Sequence, residues 1–145
     1  MIRFWDTSAL VKIFHRREPA HARATNLVYG VRKSLRHMTS MLASVELAAV
    51  IIRETQDRTL AEQAMDLLRS FDQAEFSELH RDLAVRLAFR GRTRGADTAI
   101  AAQALAVAAA GERLEFVTAD RDQSGLVESE SKTRKLRVRL IVLPV

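Results

Sequence analysis

Short apolar runs alternate along this chain with longer stretches whose apolar residues recur at helical spacing. Ile2, Arg3, Phe4 and Trp5 form a short, mostly apolar run of strand type. Asp6, Thr7 and Ser8 follow with helix-capping residue types, ahead of Ala9, Leu10, Val11, Lys12, Ile13 and Phe14. Pro19 suits the first turn of a second helix, in which Ala20, Ala24, Leu27, Val28 and Val31 recur at helical spacing. A short strand is predicted over residues 37–41, then a helix over 42–53 that contains Glu46. Thr59 and Glu62 have capping-box spacing ahead of a face made by Leu60, Ala64, Leu67, Leu68 and Phe71. Residues 74–77 read as another short strand, and Leu79, Leu83 and Leu87 mark a helix that ends near Gly91. Asp97 opens an alanine-rich helix that stops at Gly111. Residues 114–118 read as a strand with Asp120 just beyond it, 129–135 as a polar, basic loop, and 138–143 as a closing strand.

Strands that alternate with helices imply an α/β fold with a mainly parallel sheet. At 145 residues, without an internal repeat or a low-complexity linker, residues 1–145 read as a single domain. With 48% apolar and 28% charged residues the chain is globular rather than disordered. The absence of cysteine excludes disulfides, thiolate zinc sites and cysteine nucleophiles, and fits a cytoplasmic protein. No signal peptide is expected, because the chain runs straight into a strand-like segment. The longest apolar-rich run, residues 96–111, falls short of the roughly 20 apolar residues of a membrane span. A net charge of +5 favours polyanionic partners, although many small basic proteins bind no nucleic acid.

Four acidic residues stand out by their placement. Asp6 and Asp120 each follow a predicted strand, and in open α/β sheets the ligand crevice lies at the carboxyl ends of the strands. Glu46 and Asp97 lie on helices, beside Val45, Leu47 and Ala48 and beside Thr98, Ala99 and Ile100. A carboxylate in apolar sequence is costly unless compensated. Each has an ordinary alternative: a helix cap for Asp6, an exposed position for Glu46, a dipole-favouring acid for Asp97, a turn for Asp120. Converging together, they would repel one another, and a hard divalent cation would relieve that repulsion. Oxygen donors without cysteine suit Mg²⁺ or Mn²⁺, which activate water and stabilise charge on a phosphodiester. His15, His21, His37 and His80 show no metal-ligand spacing and are expected at the surface or satisfied. Trp5 is expected in the core.

These residues resemble the motifs of PIN-domain nucleases, and most closely the VapC-type toxins of bacterial toxin–antitoxin pairs. Asp6 to Lys12 resembles the opening motif, and Ser40, Glu46, Leu47 and Arg53 the second. Gly95 to Leu105 resembles the third, and Phe116, Val117, Thr118, Ala119, Asp120, Arg121 and Asp122 the fourth. Thr98 departs from the pattern, standing where the family more often has alanine.

The resemblance implies a three-layer α/β/α fold with a five-stranded parallel sheet in the order 3-2-1-4-5. It implies a Mg²⁺ or Mn²⁺ site formed by Asp6, Glu46, Asp97 and Asp120, with Asp122 as an auxiliary acid. Thr7, Ser8 and Thr118 would support the carboxylates by hydrogen bonds. The implied activity is an endoribonuclease using a metal-activated water, as the toxin of a type II pair. Its partners would be RNA, a cognate antitoxin and a second copy of the chain, with no membrane. Among the basic groups, Arg90, Arg92 and Arg94 are expected to contact RNA, because they lead into Asp97. The apolar residues Leu10, Ile13, Phe14, Leu27, Val28 and Val31 are more than one small core readily takes up. Two other readings remain: a non-catalytic PIN-like module that binds RNA or protein, and a haloacid-dehalogenase-like phosphatase. The phosphatase needs a second aspartate where Ser8 stands.

Overall fold

The computed structural model describes residues 1–30 and 34–145. Two strands form the centre of its sheet, β1 (Ile2–Trp5) and β4 (Leu114–Thr118), and every residue of both is buried. Continuous apolar runs of this kind suit parallel strands covered on both faces. Phe4 and Phe116 face each other across the β1–β4 pair with ring centroids 6.2 Å apart. β2 (Arg36–Ser40) pairs with the other side of β1, β3 (Asp72–Ala74) with β2, and β5 (Val138–Val142) with β4. All pairings are parallel, and the order is β3-β2-β1-β4-β5, as the resemblance implied.

The connecting helices cover the sheet: α1 (Thr7–Phe14), α2 (His21–Tyr29), α3 (Met41–Thr55), α4 (Arg58–Arg69), α5 (Glu78–Ala88), α6 (Gly95–Ala109) and α7 (Arg121–Thr133). α1 packs on α2 and α3, α3 on α4, and α6 on both α5 and α7. The strand order reverses between β1 and β4, so the crevice expected at such a switch point opens above Trp5 and Thr118.

The central pair also carries charge. Arg3 and Glu115 are register partners, both buried, and Arg3 Nη2 lies 2.6 Å from Glu115 Oε1. Arg3 Nη1 donates to Leu27 O at 2.6 Å, so the guanidinium joins the sheet to α2.

Several boundaries differ from the sequence reading, for physical reasons. The polar stretch 129–135 is mostly the last part of α7 rather than a loop. That helix buries Leu126 and Val127 together with the polar Gln123, Glu130 and Ser131, so its inner face has little apolar signature. The cap of α4 is Asp57, whose side chain accepts from Leu60 N, and not Thr59. β3 lies at 72–74 rather than 74–77, because Ser77 caps α5 with His80. Pro19 precedes α2, whose N-cap is Ala20. The apolar residues of α1 and α2 are largely accommodated: Leu10, Ile13 and Val28 are buried, and Phe14 and Leu27 pack against the core. Val31 lies outside the described residues. No described helix is long and apolar enough to cross a membrane.

Candidate functional site

The carboxyl ends of β1, β2 and β4 run directly into helices, and the turn residues are the ones that cap them. Asp6, Ser40 and Asp120 are the N-caps of α1, α3 and α7, each accepting from the backbone of its own first turn. Capping therefore places two of the four acids at the crevice through local structure alone.

Asp6 lies at the floor, only 1% exposed. Its Oδ2 accepts from Ser8 N at 3.1 Å, from the Ser8 hydroxyl, and stands 3.1 Å from Thr118 Oγ1. Its Oδ1 accepts from Gln123 Nε2 at 3.1 Å. Burial pushes the Asp6 carboxyl above its usual range, and these donors pull the other way. Glu46 reaches the crevice from the middle of α3, and its Oε1 accepts from Thr7 Oγ1 at 3.0 Å. Its carboxyl is also raised, by burial first, with the Asp6 charge adding to it and the Thr7 bond opposing.

Asp97 stands in the first turn of α6. Its carboxyl is pushed up to about 6, by burial first and then by the charges of Asp6, Asp120 and Glu46, while Arg94 opposes the rise. Asp120 Oδ1 accepts from Asp122 N at 2.9 Å and Gln123 N at 3.1 Å. Glu46, Asp97, Asp120 and Asp122 all line one open cleft of about 620 Å³, above the buried Asp6. The structure thus brings all five sequence-identified acids to one place.

Thr7 and Ser8 bond to Glu46 and Asp6, and Thr118 Oγ1 lies within hydrogen-bonding distance of Asp6. Arg92 and Arg94 line the cleft, whereas Arg90 turns away to pair with Glu130 and to donate to Ser129 Oγ at 2.8 Å. Thr98, the departure from the family pattern, is buried and holds this loop. Its hydroxyl donates to Arg94 O at 2.7 Å and in turn accepts from Thr93 Oγ1 at 2.5 Å. One residue at the site escaped the sequence reading: Gln123, fully buried beneath the acids. A glutamine in a polar segment carries no pattern that would single it out.

The histidines take no part. His37 accepts from Trp5 Nε1 at 3.0 Å and stacks on Phe71, and burial lowers its pKa below the usual value. Trp5 is fully buried in the core.

The donor chemistry fits a hard divalent cation. Every charged donor is a carboxylate oxygen, and the ionised form of Asp97 is disfavoured by the three carboxylates around it. The acids face a common cleft without closing on one point: no group of three or more His, Asp or Glu side chains among the described residues is set to hold a metal ion. The chemistry is therefore present while the coordination is open.

Comparison with known proteins agrees with this architecture. The sequence of VapBC2 from Rickettsia felis, solved bound to a promoter DNA fragment, is 18% identical, with 99% of each chain covered and a TM-score of 0.62. The Mycobacterium tuberculosis VapC20, described as a sarcin-ricin loop cleaving toxin, is 18% identical, with 85% of this chain and 93% of that chain covered and a TM-score of 0.70. FitAcB from Neisseria gonorrhoeae is 17% identical, with 88% and 94% covered and a TM-score of 0.63. At these identities the likeness shows a shared fold. No curated protein sequence matches the chain. The PIN domain family matches residues 3–128, a span that contains all five acids, and the chain belongs to the PIN-domain family.

Proposed function

We propose that this chain is a Mg²⁺- or Mn²⁺-dependent endoribonuclease that acts as the toxin of a type II toxin–antitoxin pair in the cytoplasm. The observation that carries the reading is the gathering of Glu46, Asp97, Asp120 and Asp122 around one cleft above Asp6, with Arg92 and Arg94 on its rim. Asp6, Asp97 and Asp120 would hold the cation, with Glu46 binding or orienting the attacking water and Asp122 as an auxiliary ligand. When bound, the cation supplies a water of lowered pKa and offsets charge on the phosphodiester.

The chain's own residues do the rest. Ser8 and Gln123 keep the buried Asp6 carboxylate in one orientation, and Thr118 holds the Gln123 amide. Thr7 fixes Glu46 against α1. Arg92 and Arg94 offer guanidinium groups to backbone phosphates, which positions RNA without reading its sequence. Thr98 holds Arg94 and Thr93 in place through the hydrogen bonds already described.

RNA as substrate and an antitoxin as partner draw support from the solved relatives. They include a toxin described as cleaving the sarcin-ricin loop and a toxin–antitoxin complex from Klebsiella pneumoniae. The homodimer remains part of the proposal, and exposed apolar side chains such as Leu79 and Phe89 give a second copy something to cover. The phosphatase reading finds no support, since Ser8 contributes a hydroxyl to Asp6 where that chemistry requires a carboxylate. The non-catalytic reading predicts RNA binding without cleavage. Incubating the chain with single-stranded RNA in Mn²⁺ or in EDTA separates the two. Cleavage only with Mn²⁺ supports the proposal, and binding without cleavage in both favours the scaffold.

A further inference from the structure

The proton count around Asp6 gives Gln123 a definite task. Asp6 Oδ2 already accepts from the Ser8 backbone N–H and the Ser8 hydroxyl. The Ser8 oxygen accepts from Ala119 N at 2.9 Å, and the Thr118 oxygen from Asp120 N at 3.0 Å. Thr118 has one hydroxyl proton, within reach of Asp6 Oδ2 and Ser8 Oγ, each at 3.1 Å, and of Gln123 Oε1 at 2.9 Å. With Oδ2 already supplied, the shorter bond to Gln123 is the better use of that proton.

This choice fixes the amide. Its oxygen faces Thr118, and its two N–H groups face Asp6 Oδ1 at 3.1 Å and Asp97 O at 3.0 Å. The flipped amide would point its oxygen at Asp6 Oδ1 and the Asp97 carbonyl, two acceptors with no proton to share, and its N–H groups at the Thr118 hydroxyl. Every polar atom of a fully buried side chain is thereby satisfied, in one orientation only. The residues it touches come from three elements, the ends of β1 and β4 and the first turn of α6, and Gln123 itself belongs to the first turn of α7.

We infer that Gln123 is a positioning residue for the acidic site: its side-chain amide ties the Asp6 carboxylate to the first turn of α6 and so sets how Asp6 and Asp97 face each other. Asp6 Oδ1 has Gln123 as its only hydrogen-bond donor among the described residues, whereas Oδ2 is crowded, so Oδ1 keeps capacity for a further partner. The inference rests on the reading of the site as a cation centre only in its functional consequence. The tie itself is a property of the folded chain.

Gln123→Met keeps the length and approximate volume of the side chain and removes both donors and the acceptor. Mn²⁺ binding to the intact chain, followed by calorimetry, should weaken by about 10-fold or more in this variant, the usual effect of losing a residue that orients a ligand. Unfolding of the metal-free chain supplies the separate test. Asp6→Ala and Gln123→Met should be non-additive in a double-mutant cycle, because each removes the contact between the two side chains. Should Gln123→Met fail to fold, Gln123→Asn, one methylene too short to span the contacts, carries both comparisons. Folded variants with wild-type Mn²⁺ affinity, or a strictly additive cycle, would overturn the assignment. If the wild-type chain binds no Mn²⁺ while the cycle remains non-additive, the tie stands and the cation reading fails.

Discussion

Thr7 Oγ1 donates to Glu46 Oε1 across 3.0 Å, joining the first turn of α1 to the middle of α3. The bond holds an acid that neither a strand end nor a cap positions. It also opposes the rise in the Glu46 pKa that burial and the Asp6 charge produce. Thr7→Val keeps the branched shape and removes the donor. The Glu46 carboxyl should then titrate at a higher pH than in the wild type, as followed by carbon-13 NMR of that side chain. RNA cleavage should fall by roughly 10-fold, the lower end of what a lost orienting bond costs. An unchanged Glu46 titration would show that the bond does not form in solution.

Asp97 makes stability depend on pH in a definite direction. Its folded pKa of about 6 lies above the ordinary 3.8, so between those values the folded chain holds a proton that the unfolded chain has released. Stability from this group therefore falls as pH rises through that window, and the full penalty is present above about pH 6. Metal-free Asp97→Asn should melt above the wild type at pH 7.5, with the gap closing as pH falls toward 4. Adding Mn²⁺ should raise the melting temperature of the wild type more than that of the variant. A gap that is the same at both pH values would contradict the assignment.

The three arginines ahead of Asp97 should separate. Arg92→Ala and Arg94→Ala remove groups that line the cleft. Each should weaken RNA binding and lower the salt slope by about 0.7 for a single strand. Arg90→Ala removes a partner of Glu130 on α7 and should leave the slope unchanged. Binding measured across a salt series decides this, and a slope change in Arg90→Ala equal to the others would refute the division.

The buried pair of Arg3 and Glu115 ties together the two central strands, whose carboxyl ends lead into the acidic cleft. Arg3→Met leaves a buried carboxylate whose remaining cationic partner among the described residues is Arg139, at 3.5 Å. That should cost about 3 kcal/mol in chemical unfolding. Arg3→Met combined with Glu115→Leu should recover much of the loss, since no unpaired charge is then buried. A double variant less stable than the single would contradict this.

Much of this site could be read along the chain because its acids coincide with local signals. Asp6 and Asp120 close apolar strands and cap the helices that follow, and Asp97 opens an alanine-rich run. What stayed hidden depends on polar groups satisfied only in three dimensions. α7 buries Gln123 and Glu130 through hydrogen bonds and an ion pair to distant partners, and Ser131 through a bond to Glu128 O in its own helix, so its inward face lacks an apolar stripe. Arg90 looked like its neighbours until its partner Glu130, far along the chain, was placed beside it. The shape of β3 was equally hidden, since its Asp72 and Gln73 are exposed and carry no strand alternation.

The most direct test compares RNA cleavage in Mn²⁺ by the wild-type chain, Asp6→Asn and Asp97→Asn, with circular dichroism confirming that each is folded. Both substitutions keep the side-chain shape and remove one negative charge from the acidic site. Each folded variant should lose cleavage by about 100-fold or more, the scale of a removed catalytic group. Full activity in both folded variants would contradict the proposed function.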